Sequence, residues 1–198
     1  MDKRKIEVWT FPEGSAPAVR VEVPSGKILA SKLLWIVFDT LGIKESSRAF
    51  FGLFKGLEPA VKKFGDDEVI YVPCKSVISL QKWSFDPVLE AKATSTDVES
   101  IRLLALQIAA DIRSERLVPD QEERQQLEEY LDPGFPCYKQ YVELARRLSS
   151  YGSVVVKDIK LASHLKLKDQ IVKKGNRVDI VCCMRKMIIL TGEAVFSL

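Results

Sequence analysis

The stretch ESIRLLALQIAADIRSERLVPDQEERQQLEEYLDPGFPCYKQYVELARRLSSYGSVVV, residues 99–156, decides how the rest of the chain is read. Ile101, Leu104, Ala105, Ile108 and Ile112 recur at steps of three and four, which places them on one face of an amphipathic helix. Pro119 ends that pattern, because the residue before a proline is pushed away from helical geometry. Asp120 then stands where a helix N-cap belongs, and Glu122 and Glu123 put negative charge in the first turn, at the positive end of the helix dipole. A third stripe, Tyr138, Tyr141, Val142, Ala145 and Leu148, runs to Tyr151-Gly152, where glycine suits a left-handed C-cap. Three such helices make a small bundle, and packing accounts for every apolar residue in the stripes.

Working outward toward the N-terminus, Ile6, Val8 and Thr10 alternate with Glu7, Trp9 and Phe11. Val19, Val21 and Val23 then share one face of a second strand, beyond the turn-forming residues 12–17. Pro24-Ser25-Gly26 signals another turn. Ser31 is the expected cap of a helix whose apolar face holds Leu34, Phe38 and Leu41 and which ends at Gly42. Residues 49–54 and 77–83 read as two further strands. The order hairpin, helix, strand, strand is that of ubiquitin-like β-grasp modules. Residues 86–97 form a joint without a glycine- or serine-rich linker, which suggests lobes docked on one another. Beyond Gly152 the chain returns to strands at 153–156, 179–183 and 187–190, with Lys173-Lys174-Gly175-Asn176 as a tight turn.

Composition narrows the function. With 46% hydrophobic and 9% aromatic residues the chain has enough apolar content to build a core. No apolar run approaches the ~20 residues needed to cross a bilayer, and the charged Met1-Asp2-Lys3-Arg4-Lys5 opens no secretory signal. The net charge of +3 is uneven: +3 over residues 1–85, −5 over 86–153 and +5 over 154–198. An acidic centre between basic ends either presents a basic face to an anionic surface or reflects ordinary variation between lobes. Cys74, Cys137, Cys182 and Cys183 lack metal-ligand spacing, so reduced thiols, no metal site and no cofactor are expected.

Catalytic motifs are equally sparse. His164 is the only histidine, and its neighbour Ser163 is not placed to form a triad with it, so a surface or packing role is expected. Pro24-Ser25-Gly26-Lys27 has the ending of a phosphate loop without the glycine and the magnesium-binding hydroxyl that such a loop needs. Glu122-Glu123 and Glu128-Glu129 sit on an exposed helix side and have no calcium-loop glycine. There is no interleaved aromatic platform for nucleic acid, so no nucleic-acid partner is expected. The residues point to an adaptor rather than an enzyme.

The local wording resembles a known family. Phe50-Phe51-Gly52-Leu53-Phe54 resembles the YFALF or YFSLF strand of the sorting-nexin FERM domains, and Leu80-Gln81-Lys82-Trp83-Ser84-Phe85 resembles their IRKWLF strand. Leu103 to Arg113 with Arg116-Leu117-Val118 is similar to their helix and its GWI or GYI exit. The run from Tyr141 to Gly152 is similar to FLRLAQTLRHYGY. The resemblance implies an α+β, FERM-like fold. Residues 1–85 would form the ubiquitin-like β-grasp lobe, 86–153 a helical lobe like acyl-CoA-binding protein, and 154–198 a partial PTB/PH-like β lobe. Two departures stand out. No PX domain precedes the module, and only about half of a full third lobe follows residue 153. In the family, NPxY-type cargo tails add a strand to elements that here would lie beyond Leu198. The chain is therefore expected to be a fragment or a diverged form, with an open sheet edge near Leu198 that a partner or second copy would cover.

The resemblance implies a cytoplasmic, non-enzymatic adaptor, peripheral on endosomal membrane, that binds the cytoplasmic tails of transmembrane cargo. Lys166, Lys168, Lys173, Lys174 and Arg177 are the candidate residues for a phosphoinositide-bearing membrane, with Arg185 and Lys186 further on. The same lysines also read as protection of a strand edge. The alternative is a cytoskeletal or signalling scaffold whose ubiquitin-like lobe binds a small GTPase, with Arg20 and Lys27 as candidate contacts.

Overall fold

The computed structural model describes residues 4–11, 18–57, 60, 62–83, 86–131, 137–148, 150–167, 170–182, 187–190 and 195–197. The alternation read at the N-terminus becomes β1 (Lys5–Trp9) and β2 (Val19–Glu22), paired antiparallel with Ile6 opposite Val21 and Val8 opposite Val19. Their inward residues are buried and their outward ones exposed, the pattern of a sheet with one wet face. With β4 (Phe51–Lys55), β5 (Lys62–Lys63) and β7 (Ile78–Lys82) they make a five-stranded sheet in the order β2-β1-β7-β4-β5. β1 and β7 run parallel in its middle. The expected turn over residues 12–17 lies outside the described residues.

The helix α1 (Ala30–Leu41) packs on this sheet, and Gly42 closes it with φ +73°, the left-handed cap that glycine accepts without a Cβ clash. Two details of its reading are corrected. Leu29 occupies the N-cap, and Ser31, inside the first turn, does not cap the helix with its side chain. The free N–H groups of Ala30 and Ser31 instead donate to the carbonyls of Glu68 and Asp66, at 2.8 and 3.2 Å. The buried face is Ala30, Leu33, Val37 and Phe38, while Leu34 and Leu41 are only partly buried. In this part of the chain four short elements escaped the sequence reading: β3 (Lys27–Leu29) and β6 (Val69–Tyr71), which pair as a separate two-stranded ladder, the two-residue β5, and α2 (Glu45–Arg48).

The stretch read as a joint before the bundle is largely helical. Asp86 caps α3 (Pro87–Thr94) by accepting from Val88 N and Leu89 N, with proline in the first helical position. α4 (Val98–Arg113) buries Ile101, Leu104, Ala105 and Ile108, the stripe expected from its spacing, with Ile112 partly buried. α5 (Gln121–Tyr130) opens with a full capping box, Asp120 to Glu123 N and Glu123 back to Asp120 N. α6 (Tyr138–Ala145) ends earlier than its stripe, and successive turns carry Leu148 and Tyr151 into the core before Gly152 adopts φ +70°. The helical part thus has four described helices rather than three. Its core is continuous with that of the first sheet, from Ile6 and Val8 through Leu104 and Ile108 to Tyr151.

After Gly152, β8 (Val154–Lys160), β11 (Arg177–Cys182), β12 (Met187–Leu190) and β13 (Val195–Ser197) form an antiparallel sheet in the order β13-β12-β11-β8. A hairpin of β9 (Leu165–Leu167) and β10 (Gln170–Val172) stands beside it. Val172, Val178 and Ile189 form a second, smaller core.

Candidate functional site

Three features of the surface and of the lobe junction bear on function. The first fixes the platform. Glu90 points inward from α3 with no exposed surface and meets two cations and a phenol. Its Oε2 lies 2.9 Å from Lys82 Nζ at the end of β7, an ion pair out of hydrogen-bond alignment. Its Oε1 accepts from Arg146 Nε at 3.0 Å and from Tyr151 Oη at 2.7 Å. Arg146 also donates to Thr94 Oγ1, and the Lys82 ammonium sits 3.9 Å from the centroid of the Tyr151 ring. Burial lowers the pKa of Lys82 and the Glu90 charge opposes that shift. Burial, reinforced by Glu90, raises Tyr151 well above the usual phenol range.

A second clasp joins the same two parts. The Asp97 carboxylate caps α4 through Ser100 N and Ser100 Oγ, and it also accepts from Lys44 N at 3.0 Å, the residue leading into α2. Burial alone would raise its pKa, but bonds from the Ser100 and Ser47 hydroxyls and the two backbone N–H groups outweigh burial and lower it. Lys82 N donates to Gln107 Oε1 on α4 at 2.6 Å. Neither Glu90 nor Asp97 was singled out in the sequence, because the bonds that tie them across the fold come from Arg146, Tyr151 and Lys44, 56, 61 and 53 residues away.

The second feature is an apolar groove of about 480 Å³ on the first lobe, between the turn after β2, the outer face of the β3–β6 ladder and α1. Lys27 lies on its rim. Arg20 lies apart from the groove, on the outer strand β2, and pairs with Glu7 across to β1 at 3.1 Å. The structure therefore does not gather the two candidate GTPase contacts into one pocket.

The third feature is the basic hairpin of the last lobe. Lys166 on β9 stands opposite Ile171 on β10, and Ile171 is 63% exposed. Lys173 and Lys174 lie in the turn that follows, which Asn176 N closes onto Lys173 O with Gly175 at φ +90°. His164 Nδ1 accepts from Lys174 N at 3.2 Å, so the lone histidine tethers this turn. Arg177 is ion-paired with Asp158. Lys168, Arg185 and Lys186 lie outside the described residues. The sequence reading named the lysines and missed Ile171, because it assigned no strand to residues 165–172, where β9 and β10 form.

Among the described residues, no group of three metal-ligating side chains comes together, and no helix is long and apolar enough to cross a membrane. Among the described residues, Cys74 and Cys182 form no disulfide.

No family model matches the sequence, and no curated protein matches it. Among solved structures, the MyTH4-FERM MF2 domain of myosin VII from Dictyostelium discoideum (mutant 1) is similar over 96% of this chain and 50% of its own, with a TM-score of 0.56 at 10% sequence identity. The chain thus spans half the length of that neighbour, and at this identity the likeness speaks for architecture alone. The chain has a FERM-like α+β fold.

Proposed function

We propose that this chain is a non-enzymatic FERM-type adaptor of the sorting-nexin kind, which binds NPxY-type tails of transmembrane cargo and lies on endosomal membrane. The cargo part rests on the sequence resemblance. The membrane part rests on the hairpin of the last lobe, where Lys166, Lys173 and Lys174 flank an exposed Ile171. An exposed isoleucine with lysines beside it suits an anionic leaflet: each lysine near the surface adds about 1 kcal/mol, and the isoleucine adds burial in the headgroup layer. Lysines that only guarded a strand edge would gain nothing from an apolar residue among them. Arg177 contributes less in this reading, because Asp158 already neutralises it. Sedimentation with vesicles containing phosphatidylserine and a phosphoinositide tests the membrane part. Binding that disappears in Lys173→Glu/Lys174→Glu and weakens in Ile171→Ser supports it, and equal recovery on neutral vesicles removes it. Calorimetric titration of an NPxY peptide into this chain and into a version extended to a full third lobe tests the cargo part: binding by the extended version alone supports it, and binding by neither removes it.

A second reading is a cytoskeletal or signalling scaffold whose first lobe engages a small GTPase. It is favoured by β2 being the outer strand of its sheet, with Arg20 on it and Lys27 beyond the turn. Pull-down that depends on the GTPase's nucleotide state separates this reading from the first.

A further inference from the structure

The β3–β6 ladder carries apolar residues on both of its faces. Its register sets Lys27 opposite Tyr71, Ile28 opposite Ile70 and Leu29 opposite Val69. Ile70 is buried and Ile28 packs against the core, so the alternate residues, Lys27, Leu29, Val69 and Tyr71, share the outer face. A wet face would ordinarily carry polar residues. Here Leu29 is 46% exposed, Val69 39% and Tyr71 68%. These side chains form one wall of the groove, and Val23 and Ile36 line it further in. A volume of about 480 Å³ falls in the ~300–1,000 Å³ range of sites that take a small ligand or the anchor residues of a peptide.

We infer that this groove binds an acidic peptide segment of a partner protein, with apolar side chains as its anchors and carboxylates flanking them. The charges on the rim set the sign. Lys27 and Lys32 line the groove, both are exposed, and among the described residues neither ammonium has an ion-pair partner. Glu22, the one acidic lining residue, already has an interaction of its own. An occupant with carboxylates beside its apolar anchors would meet two available cations above an apolar floor, whereas a basic one would meet like charge. A second copy of this chain docked face to face would bring Lys27 and Lys32 against their own counterparts. A bilayer, being flat, would not enter a concave groove. This inference is independent of the membrane reading, which rests on the last lobe, and of the cargo reading, which rests on the sequence resemblance.

The test is fluorescence anisotropy of the full chain with three short labelled peptides. One alternates Leu and Phe with Asp and Glu, the second replaces each acid by Lys, and the third replaces each apolar residue by Ser. Saturable binding of the first alone is expected. Tyr71→Ser should weaken it at least about tenfold, as expected for an aromatic anchor. Lys27→Glu with Lys32→Glu should transfer the preference to the basic peptide. Because all three positions are exposed, circular dichroism and the melting temperature should stay unchanged and certify the fold. Equal binding of all three peptides, no saturable binding, indifference to Tyr71→Ser, or a dimer that Tyr71→Ser dissolves would each overturn the inference.

Discussion

Replacing Glu90 by Gln tests whether the two parts of the platform are held together by a buried ionic cluster. The exchange keeps the size of the side chain and one acceptor oxygen, so Tyr151 Oη and Arg146 Nε retain a partner at the position they now reach at 2.7 and 3.0 Å. It removes the carboxylate charge that Lys82 and Arg146 share, at a site where the Lys82 side chain is 11% exposed and that of Arg146 14%. Breaking a buried ion pair by neutralising one partner costs about 3–5 kcal/mol, because the surviving charge stays desolvated. For a chain of this size 1 kcal/mol shifts the melting temperature by roughly 2–4 °C, so a fall of about 6–20 °C is expected. The assay is urea denaturation and thermal melting of the wild type, Glu90→Gln, Lys82→Met and the double variant. The double variant should lose less than the two single changes added together, since with Glu90 neutral there is no pair left for Lys82→Met to break. A Glu90→Gln protein within about 1 kcal/mol of wild type, or strictly additive losses, would refute the claim that this cluster holds the lobes.

Four further outcomes follow from the geometry. Asp97→Ala removes the cap of α4 and the bond to Lys44 N, and should cost about 1–2 kcal/mol in denaturant melts. The Asp97 pKa is lowered in the folded state, so its contribution is present above the unfolded carboxyl value near 4 and is lost as pH falls through the folded one. Acid denaturation of the wild type should therefore be steeper than that of Asp97→Asn below about pH 4. Gly42→Ala, at φ +73° with open space around it, should cost about 1 kcal/mol from backbone strain alone. Disrupting the capping box with Asp120→Ala should cost about 1 kcal/mol, measured the same way, without changing vesicle or peptide binding.

Where local physics acts alone, the sequence was legible. The stripe of α4, the capping box at Asp120, the left-handed Gly42 and the alternation of β1 and β2 each follow from residues a few positions apart. α3 was missed because it inverts the usual rule: it buries Glu90 and Thr94 and exposes Val88 and Leu89, so its apolar pattern points away from the core. The ladder of β3 and β6 was missed because three-residue strands carry too little periodicity to be seen. The helix start at Ala30 was misread because distant carbonyls of Asp66 and Glu68 supply what Ser31 was expected to supply. For the candidate surfaces the division is similar. The lysines of the last lobe and Lys27 were visible as charges, but the exposed Ile171 and the groove beside Lys27 emerge only when strands register against one another.

The adaptor reading is tested most directly by sedimenting this chain, and a version extended to a full third lobe, with vesicles that contain phosphatidylserine and a phosphoinositide, with and without a tethered NPxY peptide. The account predicts that both versions pellet with anionic lipid and lose recovery in Lys173→Glu/Lys174→Glu, and that the tethered peptide raises the recovery of the extended version alone. Protein that stays in the supernatant on every vesicle, or pellets equally on neutral vesicles without peptide, would contradict it.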